Sequence, residues 1–249
     1  MWPRRRVIGP HTVRLLPVSS ILDIDVLAYE SSPIGMICLR TRPHPDEPET
    51  LITEITLDHE FLMSSLNTAS ERALSSSGLA LHPGKDLRIL VGGLGLGYTA
   101  WEAALSDRVA HIEVIEYLPQ VMDWMAKGLV PLSESVNGES RIQVTQGDVY
   151  AQLAAAPSEH WDLILIDVDH SPDEWLGEQN DGFYSEAGLR AARQHLAPGG
   201  ILGVWSYAPH SPFADAMRAV FDDVTVEDVS FDNPFFEDLE TNWLFFGRN

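Results

Sequence analysis

The chain has 249 residues, of which 45% are hydrophobic and 21% charged, and its formal net charge is −21. This length and composition favour a globular protein with a substantial core over a disordered one. The negative charge argues against a nucleic-acid partner, because phosphate binding requires a basic surface. It is compatible with attraction of a cationic substrate such as a polyamine, although solubility or a salt-rich habitat is a simpler explanation.

Targeting and redox signals are weak in this sequence. Cys38 is the only cysteine, so no disulfide can form within one chain. The arginines near the first residue are not followed by the apolar stretch of a secretion signal, and no run is long enough to span a membrane. The histidines show no spacing typical of metal ligands, so no metal site is predicted. We therefore expect a cytoplasmic protein without a membrane partner.

Residues 1–57 predict a small β-rich domain, and residues 58–86 predict a helical connection. A turn at 31–33 lies between two strand patterns, so a hairpin is expected there. The connection predicts two helices, the second of which ends at Gly78. The predicted strands cover 13–18, 21–30, 34–40 and 51–57, and the two helices cover 60–66 and 69–79.

From residue 87 to residue 249, apolar strand patterns alternate with helical patterns. Such alternation indicates an α/β fold in which helices cover both faces of a parallel sheet. The last two strand patterns, VTVEDVSF and TNWLFFG, are expected to pair antiparallel. We therefore predict a Rossmann-like, doubly wound domain that ends in an antiparallel strand pair.

The turn after the first strand of this domain is rich in glycine. In LRILVGGLGLGYTA, an apolar strand is followed by four glycines, at positions 92, 93, 95 and 97, and then by a helical pattern. Glycine permits a sharp turn and lets the backbone approach a ligand that a Cβ would block. The same pattern also occurs as plain punctuation between a strand and a helix. It indicates a nucleotide site only together with other residues.

Glycines or carboxylates follow four successive predicted strands. Ligands of open α/β sheets bind outside the carboxyl ends of the strands, so these residues are expected at one site. A glutamate there can accept hydrogen bonds from both ribose hydroxyls of an adenosyl nucleotide, and an aspartate can accept one from the adenine amine. The residues are, in strand order, Gly92, Gly93, Gly95 and Gly97; Glu116; Gly147 and Asp148; and Asp167, Asp169 and His170.

A nicotinamide-dependent dehydrogenase is an alternative. Gly95, Gly97 and Ala100 satisfy a relaxed dinucleotide fingerprint, and Glu116 lies near the expected distance for a ribose-binding acid. Three features count against it. A β-rich segment precedes the nucleotide fold, the Gly-Asp pair at 147–148 has no standard role there, and the chain ends in a strand pair.

The domain over 87–249 resembles a class I S-adenosylmethionine-dependent transferase, and the chain from about residue 20 onward resembles the spermidine synthase family. The motifs VIEYLPQV, QGDVY and IDVDHSP carry this resemblance, together with the N-terminal β segment. The resemblance implies that Glu116 binds the ribose, that Asp148 binds the adenine and that Asp167 is the catalytic base. It also implies that His59 and Glu60, in LDHEFL, match a His-Glu pair that precedes a helix in the family.

Three positions depart from the family pattern. The family's glycine motif carries an aspartate that holds the amine of the donor's aminopropyl arm, and this position is Gly95 here. The tyrosine before the family's His-Glu pair is Asp58, and the second aspartate of the acceptor motif is His170, with Asp169 beside it. Nucleotide binding is therefore better supported than aminopropyl transfer.

Two transfer reactions to a small nucleophile, such as an amine, remain open. One is aminopropyl transfer from decarboxylated S-adenosylmethionine, and the other is methyl transfer from S-adenosylmethionine. In both, Asp167 would hold the cationic acceptor and accept its proton. If the strand continues to Asp169, repulsion between the two carboxylates would raise the pKa of one of them. His170 and Tyr184 are candidates for the acceptor pocket, and the segment 171–182 is a candidate lid.

A third hypothesis is a catalytically silent, nucleotide-binding partner subunit. The N-terminal strands would then form a dimer interface, because exposed strand edges pair readily. For the two enzymatic hypotheses we also expect a homodimer, a small-molecule acceptor such as a polyamine, and no metal.

Overall fold

The computed structural model describes residues 24–168, 182–209, 211–234 and 239–249. The predicted strand at 13–18, the residues Asp169 and His170, and all of the predicted lid except Gly182 lie outside the described residues. Within the described ranges, no helix has the length and apolar character needed to cross a membrane.

The N-terminal β unit is an antiparallel sheet with the strand order β1-β2-β3-β4. The predicted hairpin is confirmed, since β1 and β2 are joined by a turn after Ser32. Residues 60–64 form a strand and not the predicted helix, because Asp58 and His59 adopt positive φ angles of 48° and 71° and turn the chain back on itself. The strands are β1 (Asp25–Ser32), β2 (Gly35–Pro43), β3 (Leu51–Leu57) and β4 (Glu60–Ser64).

The N-terminal sheet shares one apolar core with the rest of the protein. Ile37, Leu39 and Ile55 are fully buried in the same cluster as side chains of the second sheet. The indole N–H of Trp124 also donates a hydrogen bond to the carboxylate of Glu30 on β1, at 3.0 Å. Apolar packing and a polar tie therefore both position the small sheet.

The second sheet has seven strands in the order β10-β11-β9-β8-β5-β6-β7. Strands β5 to β9 are parallel, and β11 pairs antiparallel with β9 and β10. The predicted parallel sheet and its terminal antiparallel pair are both confirmed. The strands are β5 (Leu87–Gly92), β6 (Val109–Glu116), β7 (Ile142–Gln146), β8 (Trp161–Ile166), β9 (Leu196–Ser206), β10 (Asp223–Phe231) and β11 (Glu240–Arg248).

In the described part of the chain, seven helices cover the two faces of this sheet. Leu74, Ala100 and Val121 bury the first three helices on one face, whereas Leu153 and Leu189 bury helices on the other. The predicted three-layer arrangement is confirmed. The helices are α1 (Ala69–Leu81), α2 (Tyr98–Ala104), α3 (Pro119–Ala126), α4 (Ser133–Gly138), α5 (Val149–Ala154), α6 (Glu186–Arg193) and α7 (Ser211–Val220).

The strand order reverses between β5 and β8. Strands β6 and β7 are added on one side of β5, whereas β8 and β9 are added on the other side. The connections diverge at such a point and leave a crevice at the carboxyl ends of the two strands. The N–H of Asp167, directly after β8, donates to the carbonyl of Gly92 at 2.9 Å. The fold therefore places Asp167 beside the first glycines of the turn.

Helix α1 packs closely on the sheet at Gly78, which lies inside the helix and not at the predicted end. A Cβ on Gly78 would lie 3.1 Å from Cδ2 of Leu163 and 3.3 Å from Cδ2 of Leu165, both on β8. The helix ends at Leu81 instead, two residues before Pro83, because the residue preceding a proline disfavours helical backbone. Gly78 therefore permits close approach of a helix to a strand.

A larger side chain at Gly78 is expected to separate α1 from β8. Gly78→Leu should lower the free energy of unfolding by about 2 kcal/mol through overpacking, although leucine favours helix. Urea denaturation measures this loss. Gly138→Leu is the matched control, since no atom lies within 4 Å of a Cβ there. Equal effects of the two substitutions would contradict the packing role of Gly78.

Candidate functional site

The carboxylate of Glu116 ties the end of β6 to the glycine loop, defined here as residues 93–97. Glu116 is only 6% exposed. Its Oε2 accepts a hydrogen bond from the N–H of Leu94 at 2.8 Å, and its Oε1 accepts one from the N–H of Leu118 at 2.7 Å. Burial raises the pKa of Glu116, whereas these backbone N–H groups favour the ionised carboxylate. Glu116 thus satisfies two backbone donors at the edge of the crevice.

The glycine loop has the sharp backbone that the sequence predicts. Gly93, Gly95 and Gly97 adopt positive φ angles of 92°, 51° and 92°. A Cβ on Gly93 would lie 2.4 Å from the carbonyl oxygen of Asp167, so the end of β8 can approach only because this side chain is absent. Gly97 directly precedes α2, and the predicted order of strand, turn and helix is confirmed.

The end of β7 lies beside the end of β6, since the N–H of Gly147 donates to the carbonyl of Glu116 at 2.9 Å. Asp148 caps α5, and its Oδ1 accepts hydrogen bonds from the N–H groups of Tyr150 at 2.9 Å and Ala151 at 3.1 Å. Within the described residues its Oδ2 makes no hydrogen bond. Asp148 also lines a groove of about 380 Å³ between α5 and α6.

Asp167 interacts electrostatically with a second carboxylate, which the sequence analysis missed. Its Oδ2 accepts a hydrogen bond from the hydroxyl of Thr99 at 2.6 Å. Burial raises the pKa of Asp167 to about 6, although the bond from Thr99 opposes this rise. Burial and the negative charge of Asp167 raise the pKa of Glu71, in the first turn of α1, to about 7. No motif marks Glu71, because it lies on a helix far from Asp167 in sequence.

The His-Glu pair of the sequence analysis lies apart from these carboxylates. His59 lies in the turn between β3 and β4, Glu60 is the first residue of β4, and both are exposed. Instead, β4 approaches the glycine loop with Met63, whose Sδ would lie 3.2 Å from a Cβ on Gly95. The N-terminal sheet therefore contributes an apolar side chain at this point of the loop, which no sequence signal indicated.

The remaining residues that were predicted for the acceptor pocket are Tyr184, Asp169 and His170. Tyr184 is buried in an aromatic cluster, and its hydroxyl oxygen lies 2.9 Å from that of Tyr150. Strand β8 ends at Ile166, so it does not continue to residue 169. Asp169 and His170 lie outside the described residues, and their roles stay predictions. Among the residues that are described, no group of His, Cys, Asp and Glu side chains could hold a metal ion.

The fold and the order of residues along the sheet edge define a class of protein. A glycine loop after β5, a buried acid after β6 and an aspartate after β7 characterise the nucleotide-binding side of the class I S-adenosylmethionine-dependent transferase fold.

Comparisons with known proteins agree with this class, although no family model matches the chain. A spermidine synthase in complex with the transition-state analogue AdoDATO has a TM-score of 0.71 at 18% identity, covering 90% of this chain and 73% of that chain. Polyamine aminopropyltransferase 2 of Streptomyces coelicolor is 30% identical over 149 residues, which are 58% of this chain and 26% of that protein. Putrescine N-methyltransferase 2 of Nicotiana tabacum is 28% identical over 115 residues, 46% of this chain and 31% of its own.

These findings confirm the predicted fold and the resemblance to spermidine synthase-like proteins. The chain has a seven-stranded α/β domain of the S-adenosylmethionine-dependent transferase type with a separate N-terminal antiparallel sheet. It spans less than half the length of the curated relatives it matches, between 26% and 42%.

Removing the charge of Glu116 is expected to loosen the glycine loop. In Glu116→Gln, an amide NH₂ replaces one acceptor oxygen, so a buried backbone N–H loses its partner and the free energy of unfolding falls by about 2 kcal/mol. Urea denaturation measures the loss, and hydrogen exchange at the Leu94 amide should become faster. Glu113→Gln is the control, since Glu113 lies on the same strand and pairs only with His111, at 3.8 Å. Unchanged exchange at Leu94 would contradict this role of Glu116.

Proposed function

We propose that the protein transfers an aminopropyl group from decarboxylated S-adenosylmethionine to an amine, with Asp167 as the base. The observation that carries the proposal is the position of Asp167 at the reversal of strand order, with its backbone N–H bonded to Gly92 at 2.9 Å. A pKa raised to about 6 brings this carboxylate closer to the range of an effective base at neutral pH. The similarity to a polyamine aminopropyltransferase supports this choice of reaction.

The donor's nucleoside would lie along the carboxyl ends of β5, β6 and β7. Each oxygen of a carboxylate can accept two hydrogen bonds, so Glu116 can accept the ribose hydroxyls in addition to its backbone donors. The Oδ2 of Asp148 is available for the adenine amine, since capping of α5 uses Oδ1. The glycine loop lets the backbone contact the nucleoside where side chains would block it.

The acceptor amine must lose a proton before it attacks. An alkyl ammonium with a pKa near ~10 is mostly protonated at neutral pH. The sulfonium of the donor is already an activated leaving group, so the protein's main contributions are orientation and proton removal. Asp167 binds the ammonium as a carboxylate and then accepts its proton, while the Thr99 hydroxyl fixes the orientation of Oδ2.

We extend the proposal to a cytoplasmic homodimer that acts on a polyamine. The edge strand β1 supports the dimer, because Val26 and Tyr29 on it are 55% and 51% exposed and an apolar strand edge favours pairing with a second copy. The negative net charge supports a polycationic acceptor. Light scattering of the purified protein measures its oligomeric state.

The reaction itself is the first test. Incubation with putrescine and decarboxylated S-adenosylmethionine is expected to yield spermidine and methylthioadenosine, measured by mass spectrometry. Asp167→Asn should reduce turnover by about 10³-fold, because it removes the base, while donor affinity in calorimetry changes little. Release of S-adenosylhomocysteine from S-adenosylmethionine would instead indicate methyl transfer. Failure to bind either nucleotide would contradict the proposed donor site.

The identity of the donor can be tested at Gly95, where the family carries an amine-binding aspartate. Aspartate tolerates positive φ better than most residues, and its Cβ would need a small shift of Met63, whose Sδ lies at 3.2 Å. Gly95→Asp is expected to tighten binding of the decarboxylated donor about tenfold, because a carboxylate then meets its ammonium group. Gly95→Asn is the matched uncharged control. Equal affinities of the two variants in calorimetry would contradict this placement of the aminopropyl arm.

A further inference from the structure

Hydrogen bonds that connect α1 with β11 hold the carboxylate of Glu71 in place. The hydroxyl of Ser70 donates to Oε2 of Glu71 at 2.9 Å, and Nδ2 of Asn242 on β11 donates to the Ser70 oxygen at 2.9 Å. Ser70 is fully buried, so this arrangement is shielded from water. Glu71 is therefore anchored at both its backbone and its carboxylate.

Thr99 connects the backbone of Glu71 with the side chain of Asp167. Its buried hydroxyl lies 2.6 Å from Oδ2 of Asp167 and 3.4 Å from the carbonyl oxygen of Glu71. The backbone of Thr99 is fixed in turn, because Ser75 of α1 donates to its carbonyl at 2.6 Å. The first turns of α1 and α2 and the end of β8 therefore meet around one hydroxyl, which contacts the carboxylate of Asp167 and the backbone carbonyl of Glu71.

The other charged groups around this pair are few and already paired. On α1, Arg72 lowers the pKa of Glu71, but it also forms an ion pair with Glu102 of α2 at 3.0 Å. On α2, the Tyr98 phenol has a pKa raised by burial, in part offset by Arg72, so it is neutral near pH 7. From β11, Asn242 contributes only a neutral amide. Among the charged groups, Glu71 and Asp167 therefore interact mainly with each other.

We propose that Glu71 is a positioning residue of the acceptor site, which Thr99 links to Asp167 and whose negative charge makes Asp167 a stronger base toward the acceptor ammonium. This inference rests on the proposed function. It adds a second negative charge where the reacting amine has to give up its proton. Two interacting carboxylates hold a shared proton more tightly than one carboxylate alone, because protonation relieves their repulsion.

In the resulting step, the acceptor ammonium transfers one proton to a carboxylate oxygen of Asp167. The freed lone pair of the amine nitrogen forms the new nitrogen–carbon bond while the carbon–sulfur bond breaks. The electron pair of the broken bond stays on sulfur, which becomes a neutral thioether. The product amine carries the positive charge, and the pair of carboxylates keeps one proton until solvent removes it.

The pH dependence of transfer tests this role. In Glu71→Gln, maximal kcat should fall about tenfold, and the fall of kcat at acidic pH should shift to a pH lower by about one unit, since Asp167 then titrates alone. If Glu71 had a purely structural role, its substitution would lower kcat at every pH without shifting the pH at which kcat falls. Glu71→Asp keeps the charge and should retain most of the wild-type profile. Glu186→Gln, which removes an exposed acid paired with Arg190 on α6 at 3.3 Å, is the control and should leave the profile unchanged.

Folding stability tests the pair independently of activity. The folded protein binds protons to Glu71 more tightly than the unfolded chain does, so stability falls as pH rises between about 4.5 and 7. Urea denaturation from pH 5 to pH 8 should show a smaller fall for Glu71→Gln than for the wild type or Glu186→Gln. Parallel curves for all three proteins, or an unshifted kcat profile, would overturn the inference. If no amine is a substrate but the stability curves differ as stated, the proposed function is contradicted, whereas the interaction between Glu71 and Asp167 is supported.

Discussion

The carboxylate of Glu116 is the contact on which the edge of the sheet beside the glycine loop depends. Strands β5 and β6 are parallel neighbours, and the chain leaves both of them at the same edge. Their following N–H groups point into a buried region and need acceptors. Glu116 supplies one oxygen to Leu94 after β5 and the other to Leu118 after β6. One side chain thus joins the starts of two connections, and the shape of the glycine loop follows from it.

The crevice gathers acidic groups that are unfavourable there without a cation. Burial raises the pKa values of Glu116, Asp167 and Glu71, so each loses part of its hydration in the folded state. A sulfonium donor and an ammonium acceptor would restore the balance of charge when both are bound. This arrangement explains why a binding site can destabilise the protein that contains it. The strongly negative surface attracts the same class of ligand over longer distances.

Sequence patterns predicted the sheet well because its strands are long and apolar and its helices lie between them. The carboxyl ends of β5 to β8 lie at one edge of the sheet, since topology alone determines which strand ends share an edge. The features that the sequence patterns did not predict depend on tertiary contacts. Glu60–Ser64 became a strand because a hairpin turn precedes it, and Gly78 stayed within a helix that packs on β8. Glu71 could not be predicted, because no local pattern shows that the first turn of α1 meets the end of β8.

The distribution of negative charge separates this site from the pattern it resembles. At Gly95 the glycine loop lacks a carboxylate, and Met63 lies close to the backbone there. Negative charge is present instead on α1, where Glu71 lies in the first helical turn. Two effects favour this location, because a helix holds a side chain more rigidly than a loop does and because its N-terminus stabilises an anion. Burial and the negative charge of Asp167 raise the pKa of this Glu71 carboxylate. In our proposal the acidic groups therefore lie around Asp167, and the glycine loop itself carries no charge.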